Sequence, residues 1–199
     1  MTTMAQTSTT LISARSHITS ITGTDISLSA TAGVYTISAT STVLTGAGKL
    51  AVGDLITVSG SASNNSTFTV STVVSTTELT VAEVVTSENA DGSSTITLDH
   101  VGFVSDKAKG DGYYSQPDGV HTVAYQVAND FNANATIKMQ GTLATTPTED
   151  DWFDIANTTF TADGSTVTSS YNFTGNYVWV RSKTQLLTAG TTNSILLNS

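Results

Sequence analysis

The sequence predicts an all-β protein: a small antiparallel β-barrel or sandwich domain followed by a jelly-roll-like β-sandwich domain. Three observations predict it. Apolar residues alternate with Thr and Ser over short segments, the period of a strand with one buried face. Charged residues are only 12% of the 199, and the Thr, Ser, Gly, Val and Ala that replace them suit a pleated surface better than a helix, since Val and Thr are stiff at χ1. Turn residues recur at spacings of about ten. A chain of this length can bury two modest cores.

Residues 1–18 are polar and Thr/Ser-rich, with Leu11 and Ile12 as their close apolar pair, and read as a flexible N-terminal arm. In an assembly such an arm can order by adding to a neighbour. Residues 19–100 read as the small barrel. Val34 shares a face with Thr36 and Tyr35 with Ile37, Ile56 shares one with Val58, and Gly53 and Gly60 mark the ends of that segment. Phe68 and Val70 point inward while Thr67, Thr69 and Ser71 point out; Leu79 with Val81, and Ile96 with Leu98, continue the pattern. Asn64 and Asn65, within Ser63–Ser66, are expected to supply the left-handed backbone of a tight hairpin, and Asp91-Gly92 is a second turn signal.

Glycine, proline and charge gather in residues 101–118, which are expected to be the linker. Residues 119–199 then read as a sandwich of about seven or eight strands. Val123, Tyr125 and Val127 share one face, and Ile137 and Met139 point in while Lys138 and Gln140 point out. Asp163-Gly164 offers a hairpin. In the segment Tyr177–Arg181, Val178 and Val180 lie opposite Tyr177, Trp179 and Arg181, and Ile195–Leu197 forms a last strand at the edge.

The formal charge is −9, and the seven Lys and Arg are scattered along the sequence. A nucleic-acid or anionic-membrane partner needs a clustered basic face, so neither is expected. Lys107 and Lys109 read as a solvated loop. Without cysteine there is no disulfide, thiolate metal site or thiol nucleophile. The start lacks a basic segment followed by an apolar stretch, and no run approaches the ~20 apolar residues of a membrane span, so the chain reads as soluble and made in a cytoplasm.

Catalytic patterns are absent from the sequence. His17, His100 and His121 stand far apart, with no spacing that brings two to one metal, and His100 and its neighbour Asp99 would point to opposite faces of a strand. There is no Gly-x-Ser-x-Gly elbow and no phosphate loop. Glu149, Asp150, Asp151 and Asp154 are the residue types for glycoside hydrolysis or calcium binding, but consecutive acids on a turn read as a solvated loop. No catalytic residue, metal or cofactor is expected, and the protein is not expected to be an enzyme. Tyr113, Tyr114, Trp152, Tyr177 and Trp179 form the candidate interaction surface. Against their use as a sugar-stacking platform stands the reading in which Trp152 and Trp179 fill the sandwich core.

The segment Val52–Gly60, with Asn64–Val70 and Thr77–Val81 after it, resembles a small β-module of tail-tube and related virion proteins of tailed bacteriophages. That module follows a Gly-Asp strand with an Asn-rich turn and a Thr-Phe-x-Val strand; Ser66 stands where it usually has glycine. The segments Gln140–Ile155 and Phe173–Arg181 are similar to C-terminal β-sandwich domains in structural proteins of marine phages. The resemblance implies a virion structural protein, assembled in the host cytoplasm, acting as a homo-oligomeric decoration, neck or tail component. Its partners would be copies of itself and other virion proteins. The alternative is a receptor- or glycan-binding adhesin or tail-fibre module that takes a host surface glycan.

Overall fold

The computed structural model describes residues 8–114 and 119–198. Residues 1–7 of the expected arm and 115–118 of the expected linker lie outside the described residues. Strand accounts for 51% and helix for 4%, so the chain is all-β, with antiparallel sheets. It divides into two compact units: one from His17 to Phe103, the other from Val104 onward together with the N-terminal strands.

Those N-terminal strands are β1 (Ser8–Ile12) and β2 (Arg15–Ser16). The N-terminal unit holds β3 (Ile21–Gly23), β4 (Ile26–Thr31), β5 (Val34–Ala39), β6 (Asp54–Ser59), β7 (Thr67–Ser75), β8 (Glu78–Val81) and β9 (Ile96–Val104), which ends at the boundary. The C-terminal unit adds β10 (Ala108–Lys109), β11 (Val120–Val127), β12 (Thr136–Thr142), β13 (Phe153–Asp154), β14 (Phe160–Thr161), β15 (Thr168–Thr174), β16 (Trp179–Gln185) and β17 (Thr191–Asn198). Two 3₁₀ turns, Asp111–Tyr114 and Glu149–Asp151, complete the described elements.

In the N-terminal unit β7 belongs to two sheets. Its first residues pair with β6 in the order β3-β9-β6-β7, and its later ones pair with β8 in the order β7-β8-β5-β4. Register shifts after Val70 and Val73 let the strand turn the corner, as bulges do. The outer strands β3 and β4 are joined by Thr24 and Asp25 but do not pair, so the expected barrel is not closed. Asp25 holds this corner, its Oδ2 accepting from the backbone N–H groups of Ser41 (2.7 Å) and Thr42 (2.9 Å). Ile26, Leu28, Ile37, Ile56, Leu79 and Leu98 are each at most 1% exposed and form the core, each burial worth about 1.5–3 kcal/mol.

The β6–β7 hairpin forms, but not by the expected turn chemistry. Gly60 takes the positive φ of 79°, and neither Asn64 nor Asn65 is left-handed. Instead Asn64 is buried, its amide donating to the Thr86 carbonyl (3.0 Å) and its side-chain oxygen accepting from the Thr86 N–H (2.7 Å). Asparagine here ties two loops together through its side chain rather than bending the backbone. Thr69, expected outside, is buried because Glu83 accepts from both its N–H (2.6 Å) and its hydroxyl (2.7 Å).

The C-terminal unit is a two-sheet sandwich. One sheet runs β15-β11-β17-β1, with β2 also on β17. In the other, β12 pairs with β16 on one side and with β13 and β14 on the other, and β10 lies on β16. The chain changes sheet at each of the steps β11 to β12, β14 to β15, β15 to β16 and β16 to β17. Asp163-Gly164 is therefore a crossing turn and not the expected hairpin. Residues 8–16, read as a flexible arm, are strands on β17 anchored by buried Ile12, so β17 is a central strand and not an edge. Val123, Tyr125, Ile137, Met139, Val180 and Ile195 are at most 1% exposed and fill the space between the sheets.

Candidate functional site: an aromatic and cationic face

The site begins with the alternation of β16. Val180, Ser182 and Thr184 are buried, while Trp179, Arg181 and Lys183 face the other way. The antiparallel register with β12 sets Trp179 opposite Thr142, Arg181 opposite Gln140 and Lys183 opposite Lys138. On the other flank Lys109 of β10 is opposite Trp179. One sheet face thus collects residues separated by up to about seventy positions in sequence, which only strand pairing can do.

At one end of this face lie Tyr113, Tyr114 and Trp179. The Tyr113 ring meets Tyr114 edge-on at 5.2 Å and Trp179 at 4.9 Å. Lys107 sits over the Trp179 ring at 4.5 Å, and Lys109 over Tyr113 at 4.1 Å and Tyr114 at 5.5 Å. Tyr113 and Tyr114 are 43% and 56% exposed, so this is a surface and not a core. Trp179 is half-buried and fixed by its indole N–H, which donates to the Thr145 carbonyl at 3.0 Å.

Farther along the face Arg181 is a closed network. Its Nη1 and Nη2 donate to the two oxygens of Glu149 at 2.8 and 2.7 Å, and its Nε donates to Gln140 Oε1 at 2.9 Å. Trp152 covers the guanidinium at 4.2 Å. The fork geometry and the stacked ring are what arginine, and not lysine, provides. Next to it Lys138 donates to Asp154 (2.5 Å), and Lys183 has its pKa pushed down, chiefly by burial and then by Arg181 and Lys138. Five of the chain's seven Lys and Arg residues stand on or beside this face. They are scattered in sequence but gathered in space.

No family model and no curated protein matches the chain. The site is therefore read from its own geometry. Of the five aromatics read from the sequence, Tyr113, Tyr114 and Trp179 come together, and Trp152 lies on the same face against Arg181. Neither tryptophan fills the core. Tyr177 departs: it precedes β16, and its ring lies where a Cβ on Gly141 would be, 2.6 Å from Tyr177 Cδ1. That is the side of Ile137 and Met139, where Tyr177 packs on Phe153 (5.9 Å) and Phe173 (6.3 Å). Trp179 and Arg181 do share a face, but Tyr177 does not join them, because the chain bends at Val178, between Tyr177 and the start of β16.

The acidic cluster does not converge. Glu149 is spent on Arg181, Asp154 on Lys138 and Gln140, and Asp151 on the N–H and hydroxyl of Thr148, which hold its carboxyl below the usual range. Among the described residues no three His, Asp or Glu are placed to hold a metal ion. A shallow groove of about 480 Å³ near Gln126, Asn129, Val167 and Asn193 carries no titratable side chain.

Sequence reading missed a second polar cluster, in the N-terminal unit. Asp54 of the Gly-Asp pair is fully buried, accepts from the Ala51 N–H (2.7 Å) and meets His100 Nε2 at 3.1 Å. The His100 Nδ1 accepts from the Ile18 N–H at 3.3 Å and lies 3.3 Å from His17 Nδ1. His17 has its pKa lowered, first by burial and then by His100. Histidines more than eighty residues apart gave no spacing signal; antiparallel pairing of β3 with β9 and β9 with β6 brings them together.

Proposed function

We propose that the chain is a non-enzymatic structural protein of a tailed-phage virion, a homo-oligomeric decoration, neck or tail component that works by subunit packing. The observation that carries this reading is the exposed pair Tyr113 and Tyr114 against half-buried Trp179, with Lys107 and Lys109 over the rings. Aromatic rings left partly open to water on a 3₁₀ turn beside a strand, with charge over them, have the composition of a protein–protein contact. The resemblance to tail-tube modules supports it, since the segment that carries that resemblance folds as the β6–β7 hairpin followed by β8, with its Gly-Asp pair buried under His100.

The test is mass spectrometry of purified particles together with a cryo-EM map. The reading expects the chain at a fixed copy number in a symmetric shell, ring or tube. Absence of the chain from particles whose host expresses it would sink the proposal.

The second reading, a glycan-binding adhesin or tail-fibre module, is favoured by the exposure of Tyr113 and Tyr114, since rings of this kind can stack on a sugar. It expects saturable quenching of Trp179 fluorescence by host polysaccharide. An unchanged spectrum across the titration removes it.

A further inference from the structure

We propose that the face carrying Lys107, Lys109, Tyr113, Tyr114 and Trp179 seats the N-terminal unit of a second copy of this chain, so that copies associate head to tail. The inference rests on the assembly reading above and names the partner of that site.

Three observations lead to it. The first is a division of charge along the chain. Between residues 17 and 103, Lys49 is the sole cation against seven carboxylates, while the other six Lys and Arg all belong to the C-terminal unit. The second is how the N-terminal carboxylates are held. Glu83 accepts from Thr69, Glu88 from Ser61 and the Ala62 N–H, and Asp91 from Ser93 and Ser94. Asp25 accepts from residues 40–42. Neutral donors keep an acid ionised without cancelling its charge, and so the hydrogen bonds from Ser94 and Ser93 hold the Asp91 pKa at about 2. The unit therefore projects a negative field.

The third observation is that the opposing face is unspent. Lys107 and Lys109 are exposed, and among the described residues neither ammonium meets a carboxylate; each lies over aromatic rings. An ammonium has three donors, so one resting on a ring still offers N–H groups to an incoming acid. Contact between two different patches of one chain is heterologous, and repetition of it closes a ring or extends an open helical filament.

The experiment mixes equal amounts of the ¹⁴N and ¹⁵N full-length protein, cross-links them with a zero-length carbodiimide, and maps the products. Sedimentation velocity is run in parallel over a concentration series at low and high NaCl. The expected result is mixed-isotope links from Lys107 or Lys109 to carboxylates of residues 17–103, with association weakened at least tenfold by high salt. Lys109→Glu should weaken association at least tenfold, while Lys49→Glu, an equal change in net charge, should not.

A monomer at every concentration, links confined to one isotope, or a Lys109→Glu protein that associates like the parent would overturn the inference. So would saturable quenching of Trp179 by polygalacturonate on a protein that stays monomeric, which assigns the face to an anionic glycan. If particles contain the chain but this face contacts a different virion protein, the head-to-tail inference fails while the assembly reading stands.

Discussion

Replacing Arg181 by lysine keeps the charge and removes the fork, so it isolates what the guanidinium geometry contributes. Arg181 is 5% exposed and makes three hydrogen bonds, two to Glu149 and one to Gln140. A lysine can recover one bond to Glu149. It leaves Gln140 Oε1 without its donor in a buried position, which costs about 1–3 kcal/mol. The second charge-assisted bond is lost as well, but Glu149 is 27% exposed, so water repays part of that. The sum is a loss of about 2–4 kcal/mol. Both tryptophans, Trp152 and Trp179, belong to the C-terminal unit, so thermal unfolding followed by tryptophan fluorescence reads the affected unit directly. At roughly 4 °C per kcal/mol for a unit of this size, the melting midpoint should fall by about 8–16 °C. A double-mutant cycle with Glu149→Gln should show coupling, since the two substitutions remove a shared interaction. A loss within the ~0.2–1 kcal/mol of exposed ion pairs, with no coupling to Glu149, would refute the argument that the network holds the face together.

Gly141→Ala should cost about 1–3 kcal/mol by overpacking, because its new methyl would meet the Tyr177 ring at 2.6 Å while Gly175 closes the ring in from another side. Near-UV circular dichroism and the urea midpoint should both change, and Tyr177→Leu in the same chain should restore part of the loss. His17 binds its proton less readily when folded, so the unfolded state takes up more protons and stability should fall as pH drops from about 7.5 through the ordinary value of 6.5, levelling off below the folded value. His17→Gln should flatten that slope in a pH series of urea midpoints. Phe68→Ala should cost about 3–5 kcal/mol, since Phe68 is 3% exposed in the N-terminal core; calorimetry is the assay, because that unit has no tryptophan.

Period-two alternation is a local property, so the sequence by itself marked many of the strands and, for most of those, which face is buried; it marked no strand over residues 8–16, Ile26–Thr31 or Thr168–Thr174. Ile56 and Val58, Ile137 and Met139, and Val180 against Trp179 and Arg181 all lie as alternation places them. Tyr113, Tyr114, Trp152, Tyr177 and Trp179 were candidates by residue type alone, and alternation set Tyr177 on the face of Trp179, where the structure does not place it. Alternation also failed where a side chain's partner lay far along the chain. Thr69 is buried only because Glu83 meets it, and Asn64 serves by a side-chain bond to Thr86 and not by its backbone.

What only the tertiary structure decided was pairing. The N-terminal segment became part of the C-terminal sandwich by lying on β17, and two histidines joined a buried aspartate. Cations scattered from position 107 to position 183 came to one aromatic face. The physical reason is that strand pairing joins residues without regard to their distance in sequence, and a site made across strands has no local signature from which to read it.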